Sequence, residues 1–156
     1  MKRIVTLFVT LALAAGALAQ ASPPQAGAWR GYDEAADARA DIDRALAQAA
    51  AGGRQVLVVF GANWCGDCRV LDLSMQQGRL KPLIEAKFVV AKVDVGRFDR
   101  NVDLAQRYGV PLKKGIPTVA VLGADGRAAF ATTGGELADA RSMGEDALVR
   151  FFDRRF

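Results

Sequence analysis

The sequence predicts an α/β domain: a mixed sheet of four strands, or five, with helices on both faces. Three observations carry that expectation. Short runs of apolar and β-branched residues alternate with stretches rich in helix formers. The first two such runs are separated by a helical stretch, which implies parallel strands joined by a right-handed crossover. The last two flank Gly123-Ala124-Asp125-Gly126, a hairpin turn that adds an antiparallel edge to the sheet.

The first helix is expected over 33–51, where strong helix formers dominate and Ile42 and Leu46 lie four residues apart on one face. Gly52-Gly53 stops it. Residues 55–60, QVLVVF, read as a buried strand, and RVLDLSMQQ after it has helical spacing at Val70, Leu71, Leu73 and Met75. KFVVAKVDV, 87–95, reads as a second, interior strand interrupted only by Lys92. A helix over 99–108 ends at Gly109. Strands follow over 118–122 and 127–132. The closing helix begins at Ser142 or Gly144 and turns Leu148, Phe151 and Phe152 inward. No internal repeat is visible.

The N-terminus reads as a targeting segment. Met1-Lys2-Arg3 is cationic, residues 4–18 are apolar apart from two threonines, and Ala17-Leu18-Ala19 has the small-x-small pattern of a cleavage site. The apolar run falls short of the roughly 20 residues that span a bilayer, so cleavage is expected rather than a stable membrane anchor. The expected division is a signal peptide over 1–19, a flexible leader over 20–32 around Ser22-Pro23-Pro24, and one domain over 33–156. About 137 residues would remain after cleavage, enough for a single core. Removing Lys2 and Arg3 leaves 19 basic against 17 acidic residues, with no basic block or aromatic stripe. A nucleic-acid partner is therefore not expected. The expected product is a monomer, periplasmic or secreted.

The chain has two cysteines, and both lie in NWCGDC, residues 63–68, between the first strand and the helix after it. A structural staple would close a longer loop to greater effect. Two cysteines without a histidine fall short of the four ligands of structural zinc. A Cu(I) carrier is chemically open, because soft sulfur suits that ion. Thiol–disulfide exchange fits best. Cys65 at the helix start meets free N–H groups and the positive end of the dipole, which favour a thiolate. Cys68 lies one turn on, on the same face. The first sulfur is expected to be exposed and to attack; the second, shielded, to resolve the mixed disulfide.

GANWCGDC at a strand-to-helix junction, with Gly115-Ile116-Pro117-Thr118 before a later strand, resembles the thioredoxin superfamily over about 33–155, nearly the whole of the expected mature chain. The helix ahead of the first strand and the LDLSM continuation resemble its exported, periplasmic members. The resemblance implies a thioredoxin fold and an attacking Cys65 resolved by Cys68. It implies that Trp64 flanks the disulfide and that Pro117, held cis, stands opposite it, leaving the Ile116 backbone free to pair with an extended substrate. Protein disulfides are the implied substrates, no cofactor is implied, and a reductase would need a membrane electron donor in an oxidising compartment.

Three departures bear on tuning. The position of the family's buried strand acid is Val59, while Lys92 matches the lysine that partners that acid, leaving it either to snorkel outward or to act near Cys68. The intervening pair is Gly66-Asp67. Asp67 would either oppose the Cys65 thiolate and make the couple more reducing, or point to water and complement the helix N-terminus. Pro111-Leu112-Lys113-Lys114 lengthens the approach to Pro117 and sets two lysines where a partner docks, or in a solvated loop. Asp67, and the absence of a histidine between the cysteines, lean toward a reductase. A non-catalytic partner-binding module with a locked disulfide remains the alternative, beside the copper carrier.

Overall fold

In the computed structural model the described residues are 29–154. The expected signal peptide and most of the expected leader lie outside them. The elements are α1 (Ala38–Ala51), β1 (Gln55–Gly61), α2 (Gly66–Met75), α3 (Leu80–Lys87), β2 (Phe88–Asp94), α4 (Val102–Arg107), β3 (Thr118–Leu122), β4 (Ala128–Ala131) and α5 (Glu145–Arg154), with short 3-10 turns at Leu112–Lys114 and Ala140–Ser142.

Among the described residues the sheet has four strands in the order β2-β1-β3-β4. β1 runs parallel to β2, with Gln55 opposite Phe88 and Gly61 opposite Asp94. It runs antiparallel to β3, with Phe60 opposite Thr118. β4 closes the antiparallel side, with an irregularity at Val121/Leu122. The mixed sheet is as expected, but β2 is an edge strand, not an interior one. An apolar run reports that a face is buried, not how many neighbours a strand has. Val90 and Lys92 are the residues of β2 that escape full burial.

Two apolar clusters sandwich the sheet. One packs Val56, Val58 and Phe60 of β1 against Ile42 and Ala45 of α1 and Leu104 of α4. The other packs Leu57 and Val59 against Leu71 of α2, Ile84 of α3 and Leu148 and Phe152 of α5. Leu148, Phe151 and Phe152 are all buried, as their spacing predicts.

Local chemistry moves several boundaries. α1 starts at Ala38, not Asp33, because the Asp37 carboxylate accepts from the Arg39 and Ala40 amides and caps the helix. Asp33 instead makes its own turn, accepting from the Ala35 amide. α3 escapes a sequence reading because Pro82 looks like a breaker. It sits third in the helix, among the first four N–H positions that have no intrahelical partner anyway. Glu145, opening α5, accepts from the Arg79 amide and so ties α5 to the start of α3.

The chain ahead of Asp33 is built into the domain. Tyr32 is buried and Trp29 packs edge-on against it at 6.0 Å. The Asn63 side chain accepts from the Tyr32 amide (2.6 Å) and donates to the Tyr32 carbonyl (2.9 Å), acting as a one-residue strand partner. Residues 29–32, expected to belong to the flexible leader, are thus packed against the domain.

Candidate active site

The end of β1 delivers the chain to the start of α2, and Cys65 stands at the N-cap of that helix. Its Sγ accepts the Cys68 amide N–H at 3.0 Å, the place a serine or aspartate oxygen takes in an ordinary cap. An amide and the helix dipole therefore both point at this sulfur. Cys65 and Cys68 are joined as a disulfide across 5.2 Å of Cα separation. Cys68 is 1% exposed and Cys65 6%. The order matches expectation, but Cys65 is more enclosed than a freely exposed nucleophile. The cover is the Pro117 loop: the Ile116 carbonyl oxygen lies 3.5 Å from Cys65 Sγ, and the Ile116–Pro117 peptide is cis.

Trp64 flanks the disulfide and is half exposed, its indole N–H donating to the Gly96 carbonyl at 2.8 Å. Phe98, also exposed, meets it edge-on at 5.8 Å. These two rings form an apolar ledge beside the sulfurs that the sequence reading did not include.

Asp67 corrects the expectation of a carboxylate pointing to water. It is largely buried and accepts from the Arg141 amide (2.9 Å) and Nε (3.1 Å), with Nη2 at 3.0 Å. Arg141 comes from the 3-10 turn far along the chain, and its guanidinium also lies against Gly66, where a Cβ would stand 3.2 Å from Nη1. The pair carries no net charge, so the like-charge pressure of Asp67 on Cys65 is offset. Burial works to raise the Asp67 pKa, yet the Arg141 amide and guanidinium outweigh it and hold the carboxyl below its ordinary value.

That lowering carries a pH signature. A carboxyl that titrates lower in the folded than in the unfolded chain stabilises the fold fully above the ordinary value of about 3.9. The stabilisation is lost as pH falls through the folded value. Arg141 is largely exposed, so Asp67→Asn is expected to cost only about 1 kcal/mol at pH 7. Denaturant unfolding of both proteins should show that difference shrinking below about pH 4. A gap unchanged down to pH 2 would contradict the assignment.

Lys92 neither snorkels freely nor meets a strand acid at position 59, where Val59 lies in the apolar cluster. Its Nζ sits 3.2 Å from Asp72 Oδ1 and over the Trp29 and Tyr32 rings, at 5.0 and 5.3 Å. Asp72 is one turn beyond Cys68 on α2 and is buried, its other oxygen accepting from Gln76 Nε2 at 2.8 Å. The domain therefore does hold a buried carboxylate paired with Lys92, but on the helix rather than the strand. Asp72, Tyr32, Asn63 and Arg141 escaped the sequence reading. For Asp72 a signal existed: a lone acid at the fourth position after Cys68 shares its helix face. Lys113 and Lys114 form the 3-10 turn before Gly115, and both are exposed.

A family model described as thioredoxin-like matches residues 37–124. The chain is 47% identical to a solved structure described as a disulphide isomerase from Xylella fastidiosa Temecula1, covering 79% of this chain and 94% of that one with a TM-score of 0.75. A thioredoxin from Thermus thermophilus matches at 28% identity, covering 72% and 81% with a TM-score of 0.52. A curated thioredoxin from Chlorobaculum thiosulfatiphilum is 36% identical over 69 residues, 44% of this chain and 56% of that protein. The chain thus spans a little over half the length of the curated relatives it matches.

Proposed function

Because the chain belongs to the thioredoxin-like family, we propose that it is an exported thiol–disulfide oxidoreductase acting on protein disulfides through Cys65 and Cys68. The observation that carries this is the sulfur cap: Cys65 Sγ at the N-terminus of α2, bonded by the Cys68 amide and faced by the Ile116 carbonyl. In the dithiol form the Cys65 thiolate attacks a substrate disulfide. A mixed disulfide forms, and the displaced substrate thiolate takes a proton from water. The Cys68 thiolate then attacks Cys65 Sγ, closes the internal disulfide and expels the second substrate thiolate. Two electrons pass to the substrate, and a dithiol donor, proposed to be membrane-borne, must return them. The Ile116 backbone and the Trp64–Phe98 ledge are suited to hold an extended segment beside the sulfurs.

The direction is proposed as reducing. No histidine lies between the cysteines to stabilise a thiolate further, and the Asp67–Arg141 pair brings no net positive charge. A second reading, disulfide isomerisation, is favoured by the 47% identical relative described as an isomerase. It uses the same dithiol and the same first attack.

Turnover of insulin disulfides with dithiothreitol tests the activity, and the Cys65/Cys68 equilibrium with glutathione tests the direction. A reductase is expected at about −200 mV or below, and an isomerase near about −180 mV. A value near about −120 mV would defeat both in favour of an oxidant. Absence of turnover would favour a partner-binding module with a locked disulfide, and tight stoichiometric Cu(I) uptake by the dithiol would favour a metal carrier.

A further inference from the structure

Behind Cys68 lies a buried hydroxyl for which the disulfide form provides no hydrogen-bond partner. Tyr32 is 4% exposed, and its Oη is the buried side-chain polar atom left unpaired among the described residues. A polar group in that position is costly, so its placement calls for an explanation. The neighbour is sulfur. At Gly61, the point where a Cβ would stand lies 2.2 Å from Tyr32 Oη and 2.9 Å from Cys68 Sγ, so both atoms border the space that the missing side chain leaves open. The tyrosine is lodged firmly. Asn63, two residues before Cys65, grips both the amide and the carbonyl of Tyr32, and Gly31 is in the left-handed region, with no room for a Cβ beside Asn63 Oδ1.

We propose that Tyr32 is a positioning residue for the resolving cysteine: once the disulfide opens, its hydroxyl donates a hydrogen bond to Cys68 Sγ and holds that sulfur as a thiolate. The proposal rests on the exchange reading. In the mixed disulfide, Cys68 gives its proton to water, and the resulting anion is stabilised by Tyr32 Oη–H until it attacks Cys65 Sγ. The Cys65–Cys68 bond then forms, and the substrate sulfur leaves with the electron pair. Tyrosine suits this task because it keeps its own proton. Burial, then the Asp72 and Asp94 carboxylates, push the phenol well above its ordinary value. The charged groups around the site are Asp72 from α2, Lys92 and Asp94 from β2, and Arg100, which pairs with Asp94. The hydroxyl thus supplies, from a segment ahead of the region matched by the family model, a contact to Cys68 that a side chain at Val59 cannot make.

Tyr32→Phe removes the hydroxyl and keeps the ring. The equilibrium with glutathione is expected to shift about tenfold toward the disulfide, a couple about 30 mV more reducing. Resolution of a mixed disulfide on Cys65 should slow about tenfold. In a Cys65→Ser background, alkylation of Cys68 should need about one pH unit more alkaline conditions when Tyr32 is also replaced by Phe. Thermal unfolding of the oxidised protein should show no loss, since the hydroxyl has no partner there, whereas the reduced protein should be destabilised. An unchanged equilibrium and Cys68 profile in a folded variant would overturn the proposal, as would equal destabilisation of both redox states. If wild-type protein turns over insulin and the variant matches it in every measurement, only this inference falls. If wild-type protein does not turn over, the exchange reading falls, and the glutathione equilibrium still tests the Tyr32 contact.

Discussion

Cys65→Ser is expected to remove disulfide exchange, lowering insulin turnover by on the order of 10³-fold or more, the scale of losing a covalent nucleophile. A serine hydroxyl at the α2 N-cap still accepts the Cys68 amide, so the helix start is kept. What disappears is a group that ionises near neutral pH and can bond to sulfur. The variant also loses the disulfide. Closing so short a loop contributes only about 2 kcal/mol by chain entropy. Cys68→Ala loses the same bond, so comparing the two separates stability from chemistry. Cys68→Ala keeps the first attack and should accumulate mixed disulfides with protein substrates, visible on non-reducing gels and absent from Cys65→Ser. Exchange surviving in Cys65→Ser, or trapping by Cys65→Ser instead of Cys68→Ala, would remove the assignment of roles.

The strands and the cysteine motif were legible because their signals are local. QVLVVF and TVAVL are short, apolar and β-branched, and both occupy the middle of the sheet. NWCGDC announces a strand-to-helix turn by its position alone. The closing helix was legible because Leu148, Phe151 and Phe152 repeat with the helical period. The edge position of β2 was not, since it depends on which strands pair beside it. α3 was hidden behind Pro82, whose placement in the first turn only the boundary reveals. The site was half legible for the same reason. Trp64, Cys65 and Cys68 lie within five residues of one another, and Pro117 could be set opposite them only through the family resemblance. The fate of Asp67 depends on Arg141, 74 residues away, and Tyr32 is held at the site by Asn63, 31 residues on. A charge or hydroxyl in a sequence shows what it can do; its partner decides what it does.

Gly61→Ala should be among the most damaging single-methyl changes in the domain, at about 3 kcal/mol, the upper part of the usual range for overpacking a closed core. For a domain of this size that is roughly a 10 °C drop in Tm. The backbone of Gly61 cannot retreat. It ends the parallel ladder opposite Asp94, and its carbonyl accepts the Val95 amide at 2.9 Å. Nor is the cost one of backbone strain, because Gly61 does not adopt a positive φ. The added methyl must displace something, and the atoms in its way are Tyr32 Oη (2.2 Å), Tyr32 Cζ (2.5 Å) and Cys68 Sγ (2.9 Å). Cys68 is held by α2 and by the disulfide, so the tyrosine has to move, pulling against the Asn63 clamp and uncovering Lys92 and Asp72. A double-mutant cycle reads this directly. Adding Tyr32→Phe removes the nearest clashing atom and should restore part of the loss. Adding Tyr32→Leu, which clears the ring from that side, should restore more of the clash term while losing aromatic packing on Trp29. If Gly61→Ala unfolds within about 2 °C of wild type, or if the two positions add without coupling, then Tyr32 is not lodged between β1 and the buried sulfur. The hydroxyl would in that case have no privileged access to Cys68.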